Sequence, residues 1–226
     1  MLASPNQIRA DFDRIAAFDR DGWSHNNHYH DYLLRYAPAH MESALDVGCG
    51  AGMFTRLLAD RAEHVTGIDL SPRMIECARQ RSAGYSNIEY RVADIMAINL
   101  PSASFDCIAS VATLHHLPLS DVLARLRDAL KPGAVLLVLD LYKAHTVDEK
   151  LYALLGLPAS LIMKRIHRSP LRPSPEERAA WDAHGATDHY LTLREIRGIC
   201  AEVIPCAQVR RHILWRYSLI WRKIVS

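Results

Sequence analysis

Along the chain, the spacing of hydrophobic and polar positions changes character three times. Near the start, Ser4-Pro5 has the form of a helix cap followed by a first helical position, and Ile8, Phe12 and Ile15 recur behind it at helical spacing. This predicts an amphipathic helix with one face to bury. Asp21-Gly22 breaks it, and a second helical pattern, "HNNHYHDYLLRYAP", ends before Pro38. From Ala44 onward, short apolar runs alternate with helical stretches. "SALDVG", "HVTGIDL", "NIEYRVADI", "FDCIASVATL" and "AVLLVLDLY" read as strands. "GMFTRLLADR", the stretch from Ser71-Pro72 to about Arg81, and "DVLARLRDAL" capped by Ser120 and stopped at Lys131-Pro132-Gly133 read as helices between them. Strands alternating with helices of this length predict βαβ units and a parallel sheet. The fourth and fifth strands are nearly continuous apolar runs, as expected where both sheet faces are covered.

After Asp140 the pattern turns irregular, with helical pieces interrupted by prolines and capping-box forms at Ser174–Glu177 and Thr192–Glu195. The end of the chain, "QVRRHILWRYSLIWRK", alternates again. Trp215, Tyr217, Leu219 and Trp221 fall on one face, with Arg216, Ser218 and Arg222 on the other. That predicts a half-buried strand, antiparallel because its link from "EVIPCAQV" is short. The expected architecture is one α/β domain over residues 1–226. Its sheet is Rossmann-like and doubly wound, mostly parallel with an antiparallel C-terminal strand, and helices lie on both faces. The divisions fall at 1–40, 41–142, 143–191 and 192–226.

Composition narrows the function classes. Half of the 226 residues are hydrophobic and the formal net charge is only +2, so no global excess of charge grips a nucleic-acid backbone. The five cysteines are scattered without CxxC spacing, which speaks against a disulfide framework and a zinc site and for a reducing cytoplasm. The longest apolar run, Leu151–Met163, contains Gly156 and Pro158 and is too short to span a bilayer. The N-terminal residues carry no apolar signal core. A soluble, cytoplasmic protein is expected.

The chemistry concentrates in "ALDVGCGAGMFTRLLADRAEHVTGIDLS". Gly48, Gly50 and Gly52 form a GxGxG turn between a strand and a helix, where backbone N–H groups face a ligand at the positive end of the helix. Asp69 closes the next strand, where a carboxylate accepts both hydroxyls of a ribose. A dinucleotide fingerprint would place its third glycine where Met53 stands, and acidic Asp46 is unexpected beside a pyrophosphate. An NAD-dependent oxidoreductase therefore remains only as the alternative class.

Taken in order, "LDVGCGAG", "VTGIDLS", "VADI", "FDCIASVATLHHL" and "LKPGAVLLVLD" resemble the successive motifs of class I S-adenosylmethionine (SAM)-dependent methyltransferases. The resemblance covers about Met41 to Leu141, and its flavour is the small-molecule, type 11 group. It implies that Asp46 and the turn of Gly48, Cys49, Gly50 and Gly52 surround the methionine end of SAM. Asp69 would take the ribose, with Leu70 and Met74 near adenine, and Asp94 the adenine amino group, with the Ile95 main chain beside it. Val111 would offer backbone atoms. The helices of 1–40 would close over the cofactor, with Trp23, His28 and Tyr29 as lid residues, and 143–191 would form a substrate-side insertion. S-adenosylhomocysteine is the implied product.

His115 and His116 follow the fourth strand, at the carboxyl ends where ligands of such sheets bind. Either is a candidate base if the acceptor sheds a proton, or both are loop residues that pack and hydrogen-bond. His184, Asp188, His189 and Tyr190 could also line the pocket. His25, His28 and His30 lack a completing carboxylate or cysteine, so no metal is expected. Run 151–163 reads as packing first, an apolar acceptor wall second and a membrane contact third. The expected reaction is methyl transfer to O, N or C of a small organic acceptor, in a secondary-metabolite pathway. RNA or lipid methylation stands as a further alternative. No nucleic-acid partner and no membrane span are expected, and a homodimer is left open.

Overall fold

The computed structural model describes residues 3–20, 22–170, 172–186 and 188–224. Helix α1 (Pro5–Ile15) begins as its sequence predicts, with the Ser4 side chain accepting from the Gln7 amide. The second pattern forms only a 3-10 turn and a short α2 (His30–Leu34), because Asn26 and Asn27 are poor helix formers and no side chain caps it.

The next segments build the sheet. They are β1 (Met41–Val47), α3 (Met53–Ala59), β2 (Ala62–Asp69), α4 (Pro72–Arg81), β3 (Ile88–Val92), β4 (Phe105–Val111), α5 (Leu119–Ala129) and β5 (Leu130–Leu141). Then come α6 (Val147–Leu154), α7 (Gly156–Ile166), α8 (Pro175–Gly185), α9 (Leu193–Val203), β6 (Gln208–His212) and β7 (Arg216–Arg222). The seven-stranded sheet runs β3-β2-β1-β4-β5-β7-β6. Its first five strands are parallel, β7 is antiparallel to β5, and β6 is antiparallel to β7. The glycine turn and the β4–α5 link thus share the carboxyl edge at the point where strand order reverses, the usual ligand crevice of open α/β sheets.

Three local expectations change. Ser120 does not cap α5: the helix starts two residues earlier, behind Pro118, and Ser120 lies in its first turn. Lys131-Pro132-Gly133 does not separate helix from strand, since β5 begins at Leu130 and absorbs these residues through a register shift against Phe105 and Cys107. Strand β7 is buried on both faces rather than one. Tyr217, Leu219 and Trp221 join the core under α5 and α9, as the alternation requires. The opposite face lies under the N-terminal segment, where Asn26 accepts from Arg216 Nε at 2.7 Å and Ser218 meets the Tyr32 hydroxyl at 3.4 Å. Trp215 sits in the preceding turn with φ of +59°, and its indole occupies the space a Cβ on Gly156 would need.

Core packing assigns the remaining helices. Leu123, Leu126, Leu136 and Ile196 form the layer on one face of the sheet, while Leu33, Phe54, Leu58 and Leu137 form the other. Each fully buried side chain of this size stabilises the fold by about 1.5–3 kcal/mol. Helix α1 reaches across to α4: the Ser71 hydroxyl, which caps α4, donates to Asp13 at 2.6 Å. Ile15 and Ala16 cover Met74. No helix among the described residues is long and apolar enough to cross a membrane.

Candidate active site

The turn after β1 is built by three left-handed glycines, with φ of +69° at Gly48, +51° at Gly50 and +77° at Gly52. Their missing side chains serve different purposes. A Cβ on Gly48 would lie 2.0 Å from Thr113 Oγ1, and one on Gly52 would lie 2.2 Å from the Tyr90 hydroxyl. Only at Gly50 does the turn face open space. Cys49 points away from that opening, into a buried cluster with Ile75, Ala78 and Tyr90.

Two carboxylates flank the turn. Asp69 accepts from the Gly50 amide at 2.9 Å and the Ser71 amide at 2.8 Å, and burial holds its carboxyl above the ordinary range. Asp46 is 1% exposed and accepts from Thr55 Oγ1 at 2.6 Å. Burial pushes it up to about 7, with the nearby Asp69 adding to the effect. Such a carboxyl becomes fully anionic when a cation arrives beside it.

Asp94 Oδ1 accepts from the Met96 amide at 2.8 Å and so caps its own turn. Ile95 is buried, and its carbonyl accepts from Arg125 Nε at 3.0 Å. Leu70 and Val111 are half-buried at the ends of their strands. The Tyr29 hydroxyl donates to the Ile213 carbonyl at 2.5 Å, and its ring packs on His212. Of the other lid residues, Trp23 Nε1 donates to His28 Nδ1 at 3.4 Å, and the Trp23 ring stacks on His167.

His115 and His116 occupy a 3-10 turn, Leu114–His116. The His115 amide donates to Asp140 Oδ2 at 3.0 Å, and its Nδ1 lies 2.6 Å from Asp140 Oδ1. Asp140 ends the apolar run of β5 and is fully buried. The His115–Asp140 pairing was not legible from the sequence, although an acidic residue closing an apolar strand was a signal for it. Burial, then the neighbouring His115, brings His116 down to about 3, so it stays neutral near pH 7. The two rings lie 3.8 Å apart, and His184 from α8 approaches His116 within 5.0 Å. An apolar cavity of about 410 Å³ opens beside His115, lined by Leu117, Leu191, Ile199 and Tyr217 among others. A larger cleft, about 660 Å³, lies at the opposite end of the strands around Met41, Asp60 and Pro132, away from the glycine turn.

The comparisons with known proteins agree with this geometry. Residues 45–138 match the family described as a methyltransferase domain. An uncharacterised methyltransferase of Mycobacterium bovis is 30% identical over 206 residues, which is 88% of this chain and 96% of that relative. The ubiquinone biosynthesis O-methyltransferase of Xylella fastidiosa is 30% identical over 214 residues, 87% of this chain and 83% of that protein. Among solved structures, the N-methyltransferase NodS of Bradyrhizobium japonicum, in complex with S-adenosylhomocysteine, aligns with a TM-score of 0.64. At 19% identity over 96% of this chain and 98% of NodS, it shares the fold.

The chain belongs to the class I SAM-dependent methyltransferases. Its donor set fits the cofactor. The open backbone at Gly50 lies between a buried carboxyl suited to an ammonium and a second, amide-held carboxylate suited to ribose hydroxyls.

Proposed function

We propose that the protein transfers a methyl group from SAM to the hydroxyl oxygen of a small organic acceptor with an apolar body. When bound, SAM supplies a methyl group on a positively charged sulfur. Asp46 and the Gly48–Gly52 turn hold its methionine end, Asp69 its ribose, Leu70 and Met74 its adenine ring, Asp94 and Ile95 the ring's edge, and Val111 the side nearest the acceptor. Residues 1–40 and 143–191 act as two covers over a core of 41–142, and 192–226 closes the sheet.

The observation that carries this reading is the apolar cavity opening directly beside His115, whose ring is oriented by buried Asp140. The cavity aligns the acceptor, which is most of what methyl transfer requires. With Nδ1 engaged by Asp140, Nε2 is the His115 atom left to take the hydroxyl proton. The relative named for ubiquinone biosynthesis supports an oxygen acceptor on an apolar molecule. Incubating the protein with SAM and a panel of phenols, hydroquinones and aliphatic alcohols, then reading a methyl-sized mass gain, tests it. Methylation of amines alone would overturn the choice of oxygen.

A second reading has its own support. Leu151, Leu154, Leu157, Leu161 and Ile166 are each more than half exposed on α6 and α7, beside Lys164 and Arg165. An apolar face edged by cations suits an acceptor presented at a lipid surface. Co-sedimentation with anionic vesicles, lost in Leu157→Glu/Leu161→Glu, would favour it.

A further inference from the structure

Four side chains from three separate segments converge next to the acceptor cavity. His115 and His116 come from the turn after β4, His184 from the last turn of α8, and Asp188 from the stretch before α9. One nitrogen or oxygen from each lies within 4.8 Å of all the others. His116 Nδ1 stands 3.3 Å and His184 Nε2 3.7 Å from Asp188 Oδ1, and His115 Nε2 stands 3.9 Å from Asp188 Oδ2. Each of the four side chains is at most 6% exposed.

We propose that His115, His116, His184 and Asp188 form a binding site for one divalent transition-metal cation of the zinc type. These separations exceed ordinary hydrogen bonds, which fall at about 2.7–3.2 Å. Metal–ligand bonds of about 2.0–2.1 Å in a tetrahedron place ligand atoms about 3.3 Å apart, a separation that His116 Nδ1 and Asp188 Oδ1 already have, while the other pairs lie within 4.8 Å and would draw in around the ion. The outer nitrogens point the same way. His115 Nδ1 is held by Asp140 at 2.6 Å, and His184 Nδ1 faces Asp11 Oδ2 at 3.4 Å, so both rings turn Nε2 inward. A carboxylate on the far nitrogen is the usual support of a metal-bound histidine. His116 instead turns Nδ1 toward Asp188 and leaves its far nitrogen, Nε2, buried without a hydrogen-bond partner. Asp11 already pairs with Arg14, but Asp140 and Asp188 leave two carboxylates in one buried volume beside the histidines, and a divalent cation offsets that charge. Three imidazoles with one carboxylate suit zinc and its neighbours rather than magnesium or calcium.

Binding of the cation stands on this geometry alone, whereas its use in catalysis rests on the methyl-transfer reading above. There the four side chains would fill a tetrahedron, so the acceptor oxygen would enter only as a fifth ligand or in place of one of them, and the cation would then lower its pKa, as metals do for bound water. The O–H bond breaks with its proton passing to solvent and the O–C bond forms. The S–C bond breaks with its electron pair remaining on sulfur. With the cation bound, His115 acts through the metal as a ligand, and in the metal-free protein it is the base described above. This departs from the expectation of no metal, which weighed the scattered cysteines and the group His25, His28 and His30 only.

The test titrates chelator-stripped full-length protein with Zn²⁺, against a chromophoric chelator, and measures SAM affinity in parallel. The expected result is one tightly held ion per chain, with Asp188→Asn and His184→Gln each weakening it about 10–100-fold and His25→Gln leaving it unchanged. SAM affinity stays the same throughout. Failure of the wild type to bind a stoichiometric ion, or wild-type affinity in both ligand variants, overturns the site. If those variants do not fold, zinc-edge X-ray absorption of the loaded wild type decides. Three imidazoles with oxygen support the site, and fewer than two imidazoles overturns it. Equal methyl transfer by stripped and loaded protein overturns the catalytic use alone, whereas no transfer by either to any hydroxyl acceptor overturns the methyl-acceptor reading and leaves the site standing.

Discussion

The hydroxyl of Tyr90, on β3, fills the space where a side chain at Gly52 would project, 2.2 Å from the Cβ position. Ser82 shares a hydrogen bond with that hydroxyl at 2.9 Å, so the ring has little room to retreat. The third glycine of the turn is therefore a packing requirement between α3 and the sheet. Gly50, also left-handed, meets nothing within 4 Å.

Alanine at these two positions separates packing from ligand approach. Gly52→Ala combines a left-handed backbone with a clash and is expected to cost about 2–5 kcal/mol. Gly50→Ala carries only the backbone cost, about 1–2 kcal/mol, yet weakens SAM binding by crowding the open backbone. Denaturant unfolding beside calorimetric SAM titration reads both, and equal stability losses would refute the distinction.

Asp69 is expected to dominate ribose recognition. Asp69→Asn keeps an acceptor for the Gly50 or Ser71 amide but removes the charge, and should weaken SAM binding by roughly 1.5–3 kcal/mol. Normal affinity in the folded variant would remove this role from Asp69.

Asp46 makes the stability of the ligand-free protein depend on pH. Its carboxyl titrates near 7 when folded and near 3.8 when unfolded, so between those values the folded chain holds a proton that the unfolded chain lacks. This contribution therefore falls as pH rises from about 4 to 7 and is flat above. Buried His30 and His212, both lowered to about 4, act oppositely: the unfolded chain binds the extra protons between about 4 and 6.5, so their contribution rises with pH. Asp46→Asn removes the opposing effect. It should steepen the rise of stability from pH 5 to 7 and raise stability at pH 8 by roughly 2–4 kcal/mol. Unfolding free energies at pH 5, 6.5 and 8 check this, and parallel curves for variant and wild type would contradict it.

His115→Ala and Asp140→Asn should each lower kcat by about 10²–10⁴-fold while leaving SAM affinity intact. Asp140→Asn keeps the shape but loses the charged partner of His115 Nδ1. Unchanged turnover in both would make the pair structural.

Much of the fold could be read along the chain because its signals are local. Ser4, Ser71, Ser174 and Thr192 each accept from a backbone amide three residues on, where the cap patterns placed them. The apolar runs of β4 and β5 fixed a central, doubly covered pair. The second N-terminal helix is shorter than its pattern predicts because the periodicity near His25–His30 reflects contacts with β6 and β7 rather than a continuous helix. Strand β7 looked half-exposed for the same reason: its covering face arrives from residues far away in sequence.

Spacing and capping act within a few residues, so the glycine turn, the order of strands and helices, and the carboxylates that flank the turn are all legible along the chain. Packing in three dimensions sets which glycine faces open space, brings Asp140 to His115, and brings His184 and Asp188 to the histidine pair. Those relationships join side chains separated by tens of residues. Chain closure and burial set them, and neither leaves a periodic mark in the sequence.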